Sequence, residues 1–411
     1  MAADSLPLHS NRPGWWLAPL WLSAGLACGC GSDEKRPAVK VGVLLPYTGD
    51  SAAVGGSLER AVVMAVESVN RGDGLGGKDL LPVFADTRSD PDRAHEAVDK
   101  LLAEDIQALI GPESYEIADR ILPRLKERGV LFLSPYVSDS IVYQSADNWP
   151  WFRLAPTATA MGQALATRLQ RHPSVAFVFT RDRYCLDFAD AAMRRYQELG
   201  GTVVWKRGLE PDQVSYSAEV REFPAADTSV VALVALPLAA ARLVTDVFVG
   251  LPNVHWQWYL APHLKTPAFL ENTVPSLVEG AIGVAPLASV DPQFAHAYQD
   301  RFLREQPLEG VYFYYDAAAL LALSLERAMV ASGGERPGLA LLAKSLGETA
   351  YPSGTVIRWN ELSPGVGMLA QGRAVYYAGL TGPIQLDASG ARTQQIASFW
   401  QVRGGTIQDL P

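Results

Sequence analysis

The chain predicts an α/β protein made of two doubly wound parallel-sheet lobes with a cleft between them. Three observations carry that expectation. Apolar bursts at Val39–Leu45, Leu80–Ala85, Ile106–Ile110 and Val130–Leu133 alternate with helix-like stretches, and each ends in a turn of Gly, Pro, Ser or Asp. That alternation is the grammar of βαβ units. A second series of the same kind begins at Ser174. The 411 residues, 48% hydrophobic and 19% charged, are too many for one ordinary domain and enough for two cores. Ligands bind beyond the carboxyl ends of strands in such sheets. The loops Pro46–Gly56, Gly111–Tyr115 and Ser134–Ser140 are therefore the first places to look for function.

Residues 1–37 stand apart. Trp15–Ala27 is apolar and sits behind Arg12. It is short for a bilayer span, which takes about 20 apolar residues, and suits the apolar region of a secretory signal. It runs into Leu26-Ala27-Cys28-Gly29-Cys30-Gly31. Small residues directly before a cysteine resemble a bacterial lipobox, with Cys30 or Cys28 as the lipidated residue and Gly31–Pro37 as a tether. Plain cleavage and secretion, or a short uncleaved anchor, is the alternative. Only Cys185 is left in the folded part, so no disulfide forms within it.

In the first series, Leu58–Asn70 carries an apolar face at helical spacing, Pro91–Glu104 starts behind the cap Ser89-Asp90, and Glu113–Arg128 follows Gly111-Pro112. In the second, Ser174–Thr180, Thr202–Trp205, Val230–Leu236 and His255–Leu260 read as strands. Asp187–Leu199 and Ala239–Phe248 read as helices. Pro292–Arg304, Gly310–Val330 and Pro337–Leu346 are helical, Ser353–Tyr376 reads as loop or hinge-adjacent, and Leu380–Asp387 with Ile396–Val402 reads as a hairpin.

Those pieces, in that order, resemble a known family. LLPYTG, the turn Asn70-Arg71-Gly72, GLGGKDL, the strand end D-T-R-S-D-P, IGP-x-S and LSP follow one another. FRLAPTATAMGQALA and LTGPIQLDASGARTQQIASFWQVRGG come later. The set is similar to the Leu/Ile/Val-binding, type I periplasmic binding proteins that serve ABC importers. The resemblance implies two lobes joined by a three-strand hinge, residues 38–155 with 286–345 and residues 156–285 with 346–411. A ligand would favour the closed form. It further implies a small polar or amino-acid-like ligand, permease subunits as partners, a monomer on the periplasmic side of the envelope, and no cofactor.

Carried over residue by residue, the resemblance places ligand contacts at Ser114 and Tyr115 after the third strand and at Tyr136 and Ser138 after LSP. It adds Tyr184 and His263 from the second lobe and Val54 near the first helix. Ser114 reads equally as a plain N-cap, Ser138 as a loop hydroxyl bonding its own backbone, and Tyr184 as interlobe packing. Glu113 adds a negative charge that disfavours an anionic group nearby. His263 stands where amino-acid binders of the family often have a carboxylate for the ligand ammonium. It accepts from a neutral ligand, or binds an anionic one when protonated. With Pro237-Leu238 beside it, the wall is more apolar than an amino-acid clamp requires.

Other classes find little support. Net charge is −9 with no basic block, against a nucleic-acid partner. No HExxH, GxSxG or phosphate loop is present, so an enzyme is a poor fit. The histidines lack metal-ligand spacing, and Asp86, Asp90 and Asp92 read as helix-capping residues in preference to a cation site. A ligand-sensing receptor lipoprotein is the alternative to an importer subunit, since fold alone does not separate them.

Overall fold

The computed structural model describes residues 36–135, 149–224, 228–287, 291–388, 390–394 and 396–410. Its first sheet is built from β1 (Ala38–Leu45), β2 (Asp79–Asp86), β3 (Ala108–Ile110), β4 (Leu131–Ser134) and β5 (Trp151–Arg153). The strand order is β2-β1-β3-β4-β5, and every pairing is parallel. Between them run α1 (Ala52–Asn70), α2 (Pro91–Ala103) and α3 (Tyr115–Arg128). Val39, Val41, Val43 and Leu45 of β1 alternate onto one face and share a core with α1. Leu44 joins α2 and α3 on the other. That two-sided burial explains why the strand reads as a continuous apolar run.

The second sheet takes β6 (Ser174–Thr180), β7 (Thr202–Leu209), β8 (Val230–Val234), β9 (Gln257–Leu260) and β10 (Ile282–Ala285). The helices between β5 and β10 are α4 (Ala158–Leu169), α5 (Arg183–Glu198), the single turn α6 (Ser217–Val220), α7 (Pro237–Gly250) and α8 (Pro267–Glu271). One face packs on α4 and α5, the other on α6, α7 and α8. Thus both halves are doubly wound, as expected.

The chain then returns through α9 (Pro292–Arg301), α10 (Glu309–Ala331) and α11 (Leu339–Ala350), then β11 (Thr355–Ile357), α12 (Leu362–Ala370), β12 (Val375–Gly379) and β13 (Gly382–Pro383). It ends in β14 (Ser398–Arg403) and β15 (Thr406–Leu410). Helix α10 is buried almost all round, and Tyr312, Tyr314 and Tyr315 all lie inside it.

Three sequence expectations are corrected here. Ser353–Tyr376 is not a loop: it holds β11, α12 and the start of β12. The α12 segment LSPGVGMLA has no clear period, and its helix is set by burying Leu362, Val366 and Leu369. Gly365 permits that approach, because a Cβ there would sit 3.0–3.1 Å from Ile357 and Leu323. The C-terminal hairpin is β14–β15, not Leu380–Asp387 with Ile396–Val402. Its turn is Gly404-Gly405, both at positive φ (57° and 71°), which a tight hairpin turn requires. Finally, Ile357, Leu362, Val375, Tyr377 and Ile384 pack in the core of the first sheet. The stretch placed with the second lobe from residue 346 joins it only at β14 and β15, which pair onto β10.

The chain passes between the two sheets three times, after β5, after β10 and after β13. A buried arginine ties two of these passages. Arg392, 1% exposed, donates to the carbonyls of Leu154 (3.2 Å), Thr381 (2.6 Å) and Pro383 (2.9 Å), and to the Thr381 hydroxyl (3.1 Å). Asp316 of α10, also buried, accepts from Tyr377 Oη (2.8 Å), Leu380 N (2.8 Å), Thr381 N (2.9 Å) and Thr381 Oγ1 (2.7 Å). Both charges thus meet on Thr381, as buried charges must find partners.

Candidate functional site

On the first-sheet side, β3 ends at Ile110 and turns through Gly111. A Cβ at Gly111 would fall 2.3 Å from the Leu44 carbonyl, and its φ is 114°, so only glycine fits. Ser114 then caps α3: its hydroxyl accepts from Ile117 N at 3.3 Å. The plain-cap reading of Ser114 is therefore realised, which leaves any ligand contact as an added role. Replacing Ser114 with alanine removes that acceptor. The expected loss is about 1 kcal/mol of stability, read by urea denaturation, and an unchanged midpoint would contradict it. Tyr115 is half-buried and leans on the core under α2 and α3. Val54, in the first turn of α1, leans on the opposite core. Tyr136 and Ser138 lie outside the described residues, as do Cys28 and Cys30.

Glu113 is not aimed at a ligand as a free charge. Thr87 Oγ1 donates to its Oε1 at 2.7 Å, and its other oxygen is buried with no partner among the described residues. Burial raises the Glu113 pKa to about 7, with a further push from Asp86 and a partial offset from the Thr87 bond. The penalty expected here for an anionic ligand group is correspondingly reduced.

The second-sheet side is built on β6 and β9. Thr180 closes β6, and Asp182 caps α5, accepting from Cys185 N (3.0 Å) and Thr180 Oγ1 (2.6 Å). That cap starts the helix at Arg183, four residues before the start expected at Asp187. It sets Tyr184 in the first turn. After β9, the 3-10 turn Pro262–Leu264 carries His263. The Tyr184 and His263 rings meet edge to face with centroids 4.3 Å apart, a favourable aromatic geometry. Burial lowers the His263 pKa, and the Asp182 carboxylate only partly offsets this. A neutral imidazole follows, so of the two roles left open for His263 the protonated, anion-binding one is the disfavoured one. Its Nδ1 is buried without a partner among the described residues. Between the two loops β8 delivers Leu236 and Leu238, which are 42% and 49% exposed.

The two helix starts approach each other. Glu116, in the first turn of α3, adds its charge to the forces that raise the Cys185 pKa in the first turn of α5. Burial is the larger cause there, and Cys185 is fully inside, so its thiol is no nucleophile. Ser114, Tyr184 and His263 thus all sit at carboxyl ends of parallel strands, on helix or 3-10 turn starts. Residues 38–406 match the family model described as periplasmic binding protein.

The chain belongs to the periplasmic binding protein family. Its relatives include Leu/Ile/Val-binding protein homolog 1 of Brucella abortus, 23% identical over 73% of this chain and 80% of that one. Homolog 3 of Brucella melitensis is 24% identical, but the match spans only 47% of this chain and 53% of that relative. Among solved structures, the branched-chain amino acid transporter substrate-binding protein LivJ of Streptococcus pneumoniae, in complex with isoleucine, superposes with a TM-score of 0.74. It is 15% identical and covers 91% of this chain and 99% of its own.

Set on this periplasmic binding protein, the aspartates of the second strand end have structural roles. Asp86 accepts from Tyr47 N, Thr48 N, Thr48 Oγ1 and Arg88 N and fixes the loop after β1. Asp90 caps α2, and Asp92 pairs with Arg120. The Thr87–Glu113 bond was not readable in the sequence, since the two residues lie on different crossovers. Two surface grooves exist as well. One of about 510 Å³ runs between α5 and the edge strand β7, past Asp187, Arg194 and Trp205. Another of about 350 Å³ follows β2 and α2. Both lie along sheet edges, and neither is lined by Ser114, Tyr184 or His263.

Proposed function

We propose that this chain is an extracytoplasmic solute-binding protein that hands a small ligand to the permease subunits of an ABC importer. The ligand would be gripped between the strand ends that carry Ser114 and Tyr115 on one side and Tyr184 and His263 on the other, with Val54 at the rim. Tyr136 and Ser138 would complete the first wall. The observation that carries the reading is the Tyr184–His263 ring pair at the carboxyl ends of β6 and β9, where open α/β sheets hold ligands. The family supports it, as does a relative solved with isoleucine. Binding would select a closed form without altering the ligand, so no residue is assigned a catalytic role. A monomer without cofactor suffices.

Export would end with lipid attachment at Cys30, or at Cys28, leaving the folded part tethered to the membrane. Metabolic labelling with a radioactive fatty acid should mark the chain, and replacing both cysteines by alanine should abolish the label. Persistence of the label would remove the anchor from this reading.

Binding is testable by thermal shift. A ligand at a hundredfold excess over its dissociation constant stabilises by about 2.7 kcal/mol. With any compound that does so, Tyr184→Ala should weaken affinity at least tenfold, about 1.4 kcal/mol, while leaving the ligand-free chain folded. Equal affinity in Tyr184→Ala and parent would move the site elsewhere.

A further inference from the structure

We infer that the ligand of this cleft carries no ammonium group and is an aromatic or branched aliphatic carboxylic acid. The inference rests on the site proposed above and narrows it. A free amino acid needs a carboxylate for its ammonium, because a buried charge without a partner is not tolerated. Most acidic groups near the described walls already have partners, and none of the rest offers an ammonium a strong one. Asp182 holds Cys185 N and the Thr180 hydroxyl. Asp187 is paired with Arg183 at 2.8 Å. Asp86 takes four donors of its own loop. Glu113 is turned to Thr87. Glu116 is exposed in the first turn of α3, where an ion pair in contact with solvent contributes little.

What the second-sheet wall offers instead is apolar. The Tyr184 and His263 rings stand edge to face, and Leu236 and Leu238 expose aliphatic surface just after β8, the strand between β6 and β9. Burial favours the neutral form of His263, and its buried Nδ1 has no hydrogen-bond partner among the described residues. An imidazole of that kind pairs with a neutral hydroxyl or a carboxyl oxygen, but holds an ammonium poorly. On the opposite wall, Ser114 and the start of α3 suit an anionic head group. An apolar body with a carboxylate head and no amine satisfies both walls at once.

The test compares matched pairs by isothermal titration calorimetry on the purified chain: leucine against 4-methylpentanoate, and phenylalanine against 3-phenylpropanoate, with benzoate as a rigid probe. The amine-free acid of at least one pair should bind tenfold or more tightly than its amino acid. His263→Glu should reverse that order, gaining at least tenfold for the amino acid. His263→Gln serves as the neutral control and should keep the parent's order. If the amino acid of each pair binds as tightly as its acid or more so in the parent, the inference is overturned and the solute-binding reading stands. Silence from every probe, in parent and variants alike, overturns the inference and the cleft assignment together.

Discussion

Replacing Arg392 with methionine should cost about 3–5 kcal/mol of stability, the range seen when one member of a buried charged network is removed. Methionine fills much of the same volume but donates nothing. The carbonyls of Leu154, Thr381 and Pro383 lose the guanidinium, and Asp316 keeps a buried charge with its nearby cation gone. Burial lowers the Arg392 pKa, and the nearby Asp316 carboxylate partly offsets that fall; the two charges support each other through Thr381. The loss should therefore be shared. Asp316→Leu alone should also be severe, and the Arg392→Met, Asp316→Leu double variant should lose clearly less than the sum of the two. Urea denaturation of the four proteins measures this. Strict additivity, or a loss under about 1 kcal/mol for Arg392→Met, would show that the network contributes little. Because Arg392 joins the passage after β5 to the passage after β13, its loss should also broaden the interlobe distance distribution between spin labels on the two sheets.

Much of this architecture was legible in the residues because its signals are local. Strands β1 to β4 are short apolar runs between turn residues and lie within a few positions of their expected bounds, whereas the three-residue β5 is too short to carry such a signal. Tyr184 and His263, expected as ligand contacts, stand in ring contact with each other. The failures have physical causes. Helix α12 contains Pro364, Gly365 and Gly367, so its helicity comes from the neighbours it packs on and not from its own propensity. The expected hairpin falls too early because the apolar run ends at Val402, before Gly404-Gly405, whose backbone angles make the turn. Arg392 looks like any surface arginine in the sequence, and only the folded chain surrounds it with carbonyls. Asp316 did leave a trace: it is the lone charge in the run Val311–Leu323 of α10. A single carboxylate in such a run needs a partner network when the helix is buried.

Glu113→Gln should remove a pH dependence of stability worth roughly 3 kcal/mol, taking about 1.36 kcal/mol for each unit of pKa change. The Glu113 carboxyl moves from an ordinary 4.5 to about 7, because burial penalises its charged form more than the Thr87 bond favours it. Between those values the folded chain holds a proton that the unfolded chain has released. Raising the pH through that window therefore pulls the equilibrium toward unfolding. Below about 4.5 both states are protonated and the contribution is fully present; above about 7 it is gone. The groups that face Glu113 have their own parts in this. Asp86 pushes its pKa further up, Thr87 donates to it, and Tyr314 of α10, buried beside it with no hydroxyl partner among the described residues, stays neutral across the range. Glutamine keeps the shape and the hydrogen bond to Thr87 without a titratable proton. Urea denaturation at half-unit steps from pH 4.5 to 8.5 should show the parent falling relative to Glu113→Gln, with most of the divergence between pH 5 and 7.5. Curves that stay parallel would mean that Glu113 is solvated and charged at neutral pH. In that case its negative charge would again stand beside Ser114 and count against an anionic head group at this loop.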